Sequence, residues 1–234
     1  MTLVQLLRHN EHATPEQGLL AESLAYATLQ GGGEFHHWLE RRTPDTAGDA
    51  GETDTVKTQR VADTLHITLN RPQQRNAFSR AMRDQLWEAL QLVSADPTIS
   101  SAYLDGAGSC FSIGGDLSEF GSFGDTASAH AIRSTRHVGQ LIHQLRDRVT
   151  CRLHRACIGA GIELPALAGL IVAQRNSFFQ LPELSLGLIP GAGGTVSILR
   201  RIGRQRTAWL ALSGRRIGAE QALDWGLIDR VEPG

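Results

Sequence analysis

The sequence predicts an α/β fold built in layers, and three observations predict it. Beyond residue 61, short β-patterned runs alternate with runs of helical period. Of the 234 residues, 41% are hydrophobic and 20% charged, the balance of a globular chain that buries its own core without disulfide or metal staples. Ten of the 25 glycines fall in three short segments.

The first 60 residues differ from the rest. Residues 16–29 read as a helix, with Leu20, Leu24 and Ala27 on one face, ended by Gly31-Gly32-Gly33. Residues 34–42 read as a second short helix carrying Phe35, Trp38 and Leu39. Together, residues 1–42 form a helical extension. Residues 43–60 are polar and acidic and read as a linker, so the main body is expected over 61–234.

In that body, Leu65, Ile67 and Leu69 alternate with His66 and Thr68, the pattern of a half-buried strand. Ser79 is placed to cap a helix whose apolar face is Met82, Leu86, Ala89, Leu90 and Val93. Residues 102–104 read as the next strand, and Val138, Leu141, Ile142 and Leu145 mark another helix. Short strands follow at 170–173 and 177–180. Val196, Leu199 and Ile202 lie on a helix ending at Gly203, and a last helix over 219–225 stops at Gly226.

With 23 Lys+Arg against 24 Asp+Glu, the net charge is −1, which argues against a mainly electrostatic binder of nucleic acid or membrane. No apolar run approaches the roughly 20 residues of a bilayer span. Cys110, Cys151 and Cys157 are too few and too scattered for a disulfide framework or a zinc site. Residues 1–12 show no basic n-region and no small-residue cleavage site, so a cytoplasmic location without a signal peptide is expected. His9, His12, His36 and His37 have no partner at ligand spacing and read as surface histidines, with no metal expected. The arginines at 200, 201, 204 and 206 read as a solvated helix end.

Chemistry concentrates in the glycine segments, 106–117, 157–164 and 182–195. Such density lets backbone N–H groups turn toward a ligand and lets it approach closely. A helix starting near Gly161 would aim its first N–H groups at an anion or a developing oxyanion. None of the segments ends in Gly-Lys-Ser/Thr, and Gly159-Ala160-Gly161 is followed by Leu164 where a dinucleotide fingerprint needs glycine.

Several motifs carry a resemblance. They are Asn70-Arg71-Pro72 with Asn76-Ala77-Phe78, then Phe111-Ser112-Ile113-Gly114-Gly115-Asp116-Leu117, then Gly159-Ala160-Gly161-Ile162-Glu163-Leu164. Leu181-Pro182-Glu183 through Gly194-Thr195, Leu212-Ser213-Gly214 and residues 219–228 continue the series. In this order they resemble the enoyl-CoA hydratase/isomerase family, the crotonases, over about three quarters of the chain.

The resemblance implies a crotonase-like superhelix of ββα units with two packed sheets. It also implies an acyl-CoA thioester as substrate, with coenzyme A entering as part of it and no other cofactor. A homo-oligomer, a trimer or dimer of trimers, is the implied assembly. The implied oxyanion hole uses the N–H groups of Ile113 and Ala160, and Ile113, Gly114, Gly115, Asp116 and Gly161 would lie along the CoA thioester. Hydrating members use two glutamates, which fall here at Glu163 and Glu183; one carboxylate would activate water and a carboxylic acid would deliver a proton. Retention of both favours hydration of an enoyl-CoA to a 3-hydroxyacyl-CoA. The alternatives are isomerisation or C–C cleavage, or a non-catalytic scaffold.

Alone, Glu163 would read as a first-turn carboxylate favouring the helix dipole, and Glu183 as a turn residue. Asp116 reads as a cap for the turn at Leu117; His154-Arg155 departs from the resemblance, Arg155 either pairing with a CoA phosphate or bracing the oxyanion loop. Three departures stand out: a polar run at 146–153, Gly169 where the resemblance leads to aspartate, and a short C-terminus at Gly234. The N-terminal helices are therefore expected to cover the acyl pocket in place of C-terminal helices.

Overall fold

The computed structural model describes residues 1–42, 54–122 and 125–233. Three helices come first, α1 (Thr2–Asn10), α2 (Pro15–Gln30) and α3 (Gly33–Arg41). The strand β1 (Val56–Val61) then pairs antiparallel with β2 (Thr64–Leu69). After α4 (Arg80–Ala95), β3 (Ser101–Gly106) lies parallel to β2. Two helices follow, α5 (Thr126–Thr135) and α6 (Val138–Gln144), and lead into β4 (Val149–Leu153). The short β5 (Ala156–Ile158) precedes α7 (Ala160–Glu163), then β6 (Leu170–Gln174) and β7 (Phe178–Gln180). The long α8 (Gly194–Ser213), β8 (Ile217–Gly218), α9 (Ala219–Trp225) and β9 (Arg230–Glu232) complete the order.

Two sheets result. The larger has the order β1-β2-β3-β4-β6-β9, parallel except at β1, and the smaller is β5-β7-β8. Ile67, Leu104, Cys151 and Ile171 fill the large sheet's inner face, and Met82, Leu86, Leu90 and Val93 of α4 pack into the same core. Ser79 caps α4 as expected, its Oγ accepting from Met82 N at 3.2 Å. Among the described residues no helix is long and apolar enough to cross a membrane.

Several expectations change. The predicted linker ends early, because its residues from Val56 onward form β1; the part at 43–53 lies outside the described residues. An edge strand reading Val-Lys-Thr-Gln-Arg-Val is exposed along most of its length, so it carries no period-2 signal. The helices α1 and α5 were not expected. The helix expected to stop at Gly203 continues as α8, with a break at Gly203, whose φ/ψ of 79°/164° is non-helical.

Of the predicted face of α2 only Ala27 is buried. Leu20 and Leu24 are exposed, and the buried side is Leu19, Glu22, Ser23 and Ala27. Hydrogen bonding decides this, since Glu22 turns inward to satisfy backbone N–H groups that would otherwise be buried without acceptors.

Two of the departures explain one another. The turn at 146–148 presses against Gly169, whose N–H donates to Arg146 O at 2.9 Å. A Cβ at 169 would collide with that same oxygen, so aspartate does not fit there. The arginines expected at a solvated helix end are mostly tied down. Arg201 donates to Ala166 O and Ala168 O and pairs with Asp229, while Arg204 pairs with Glu11.

Candidate active site

Asn76 builds the first wall of the site. Its φ of 54° is left-handed, and its buried side chain faces the loop after β3. Nδ2 donates to Ala107 O, Cys110 O and Phe111 O at 2.8–3.0 Å, and Oδ1 accepts from Arg71 N at 2.9 Å. Ser112 Oγ donates back to Asn76 O at 2.7 Å. Arg71 pairs with Asp116 at 2.7 Å, and Asp116 caps the turn at Leu117, the structural role expected of it. His154 braces the same loop, its Nε2 lying 3.2 Å from Gly108 O.

The loop thus fixed runs beside the turn into α7. Ser112 N donates to Ala156 O and Ile158 N to Ser112 O, each at 3.1 Å. Gly161 permits this contact, because a Cβ there would stand 2.6 Å from Ser112 O. Ile113, Gly114 and Ala160 therefore line one cavity. The Ala160 N–H heads α7 and has no acceptor among the described residues, whereas Ile113 N–H makes a long 3.3 Å bond to Arg75 O.

Glu163 ends α7 and is 2% exposed. Its Oε2 accepts from Ala192 N at 2.8 Å and Gly194 N at 2.9 Å. Glu22, which the sequence reading missed, is 1% exposed and takes the alternate donors. Its Oε1 accepts from Gly193 N at 2.6 Å, and its Oε2 from Thr195 N at 2.8 Å and Thr195 Oγ1 at 2.6 Å. The N–H groups of residues 192–195, which open α8, thus alternate between the two carboxylates. A helix N-terminus favours such charge. Asn10 completes the clasp, its Nδ2 donating to Thr195 Oγ1 at 3.0 Å.

Glu183 lines the same cavity as Glu22 and Glu163. Its Oε2 is buried without a hydrogen-bond partner among the described residues. Burial, then the charge on Glu22, pushes its pKa up to about 8. Burial pushes Glu22 up to about 7 against the pull of its hydrogen bonds. Burial and the neighbouring Glu183 and Glu22 carboxylates also raise Glu163 well above the usual range. Ionisation of Glu22 thus disfavours ionisation of both Glu163 and Glu183, and ionisation of Glu183 that of Glu163.

The cavity measures about 950 Å³. Its lining includes Gln74, Arg75, Ala77 and residues 113–116, together with Ser23, Tyr26 and Gln30 of α2 and Ile132 and Arg133 of α5. The sequence-predicted residues Ile113, Gly114, Gly115, Asp116, Ala160, Glu163 and Glu183 all line it, while Gly161 backs the wall. The N-terminal helices lie against it, as expected. A polar stripe at helical spacing, Glu22, Ser23, Tyr26 and Gln30, was the available signal for this wall.

The buried Glu22 makes stability depend on pH. Its folded pKa of about 7 exceeds the ordinary 4.5, so the folded chain holds more protons between those values. That contribution is fully present below about pH 4.5 and is lost as pH rises through 7, at about 1.4 kcal/mol per unit. His137, whose burial lowers its pKa, acts oppositely and loses stability as pH falls through its ordinary 6.5. The melting temperature of wild type relative to Glu22→Gln should therefore fall between pH 5 and pH 8. Parallel melting curves for the two would refute this.

The family model for enoyl-CoA hydratase/isomerase matches residues 59–234. The chain is 35% identical to a 2,3-dehydroadipyl-CoA hydratase of Escherichia coli over 72% of this chain and 66% of that protein. It is 32% identical to a mitochondrial enoyl-CoA hydratase of Pongo abelii over 71% and 57%. It is 30% identical to a mitochondrial Delta(3,5)-Delta(2,4)-dienoyl-CoA isomerase of Mus musculus over 82% and 62%. The chain thus spans between 57% and 66% of the length of these relatives. A crystal structure of an enoyl-CoA hydratase from Thermoplasma volcanium aligns with a TM-score of 0.72 and 31% identity, covering 78% of this chain and 73% of that one.

Proposed function

The chain belongs to the enoyl-CoA hydratase/isomerase family, and from that premise we propose that it adds water across the double bond of a 2-enoyl-CoA, giving a 3-hydroxyacyl-CoA. One observation carries this reading: the buried carboxyl of Glu163 and the half-buried Glu183, with its Oε2 buried, line one cavity with Ile113 and Ala160.

The thioester oxygen takes its place between those two N–H groups, with Ile113 N–H released from its long bond to Arg75 O. Charge that develops on that oxygen as water attacks Cβ is held by preorganised donors. The carboxyls divide the proton work. Glu163, whose Oε2 accepts from Ala192 N and Gly194 N, serves as the base that takes a proton from water; those two bonds oppose the burial and the neighbouring carboxylates that raise its pKa. Glu183, whose Oε2 has no hydrogen-bond partner among the described residues and whose pKa is near 8, holds its proton at neutral pH and delivers it to Cα. The atoms balance: hydroxide adds at Cβ, the Glu183 proton adds at Cα, and the proton that Glu163 took from water is released to solvent while Glu183 takes one up, which restores both carboxyls.

The test is incubation with crotonyl-CoA, following loss of enoyl-thioester absorbance and the product mass. A product heavier by one water is expected. A product of unchanged mass would replace this reading with double-bond isomerisation, and fragments would replace it with C–C cleavage.

A further inference from the structure

Arg133, on α5, lines the cavity and reaches α2 through Tyr26 and Gln30. Its guanidinium carbon lies 4.7 Å from the centre of the Tyr26 ring, stacked on that face. Nη1 donates to Gln30 Oε1 at 3.0 Å, and Nε makes a long contact of 3.4 Å with Ser23 Oγ. Nη2 is buried and has no hydrogen-bond partner among the described residues. Nor does any carboxylate among them pair with Arg133, while the oxygens of Glu22 are already engaged by Gly193 and Thr195.

The guanidinium is half-buried and Glu22 attracts it only through space, so Nη2 keeps a desolvation cost that the ring and the amide offset only in part. The free N–H of Arg133 belongs to a residue that lines the substrate cavity. Its natural complement is an acceptor brought in by the ligand. A carboxylate suits it best, since the arginine fork matches that geometry and both charges are neutralised together. A plain alkyl tail would leave the donor buried and unpaired. Tyr26 holds the guanidinium flat, and its own ring is seated on Gly191, where a Cβ would overlap it.

Resting on the acyl-CoA reading above, we propose that Arg133 forms a subsite for a carboxylate at the far end of the acyl chain, so that the substrates are ω-carboxyacyl-CoA thioesters. Saturated thioesters, which cannot be hydrated, test this by calorimetry. The ligands are ω-carboxyacyl-CoAs of four, six and eight carbons, their methyl esters, and unsubstituted acyl-CoAs of the same lengths.

At the length that fits, wild type should bind the carboxylate about tenfold or more tighter than its unsubstituted partner. The methyl ester should lose most of that preference. In Arg133→Met the preference should vanish, and Arg133→Gln provides a second variant should the first fail to fold. Equal wild-type affinities at every length would overturn the proposal, as would a preference that survives in either variant. A tenfold preference for the methyl ester as well would assign the subsite to a neutral carbonyl and overturn the carboxylate. If wild type shows the preference yet hydrates no enoyl-CoA, the hydratase reading falls and the subsite stands. Hydration of crotonyl-CoA with no preference gives the reverse, and failure of every thioester to bind overturns both.

Discussion

Replacing Glu163 or Glu183 by glutamine is expected to lower hydration of crotonyl-CoA by about 10²–10⁴-fold in each case, the range for loss of one general acid or base. Glutamine preserves volume and leaves an oxygen able to accept from Ala192 or Gly194, so the fold around 163 should survive. What it removes is the ability to take up or release a proton. The loss should therefore appear in kcat while binding of a saturated acyl-CoA changes little. The double variant should be little worse than either single one, because the two groups serve one addition. Wild-type turnover should fall as pH rises through about 8, where Glu183 gives up the proton it must deliver. A variant at either position that keeps more than about a tenth of wild-type turnover would remove that residue from the mechanism.

That Glu163 and Glu183 would share one cavity was legible because each lies in a glycine-rich segment that carries the family resemblance. Backbone N–H groups leave no side-chain signature, so the glycines and the order of the motifs had to stand for them. The large sheet was legible where its strands are half-buried, as at Leu65, Ile67 and Leu69. The edge strand β1 was not, since an edge strand has no buried partner on one side to impose alternation. Nor was α5, where Ala129 is the one buried position among its described residues and no apolar stripe exists to read. Glu22 was hidden for a different reason. Periodicity assumes that apolar residues face inward, yet on α2 Leu20 and Leu24 point out so that Glu22 can reach the start of α8. A rule about burial fails where backbone hydrogen bonding outweighs apolar area.

Glu22→Ala is accordingly expected to be among the most damaging substitutions outside the carboxyl pair. It strands Gly193 N, Thr195 N and the Thr195 hydroxyl in a buried place and opens a void beside them. Each lost bond to a charged acceptor is worth about 1.5–3 kcal/mol, offset by relief from burying the carboxylate, so a net loss of about 3–5 kcal/mol is expected. For a chain of this size that corresponds to a melting temperature lower by about 10 °C. The damage should reach chemistry, because the N–H groups Glu22 holds alternate with the two that hold Glu163. Once residues 193 and 195 are free to shift, Glu163 loses its fixed donors, so kcat should fall even though residue 22 performs no proton transfer. Glu22→Gln, which keeps one acceptor oxygen, should lie between alanine and wild type in both melting temperature and kcat. A melting temperature for Glu22→Ala within about 2 °C of wild type would mean that water replaces the carboxylate and that α2 is held by its apolar contacts alone.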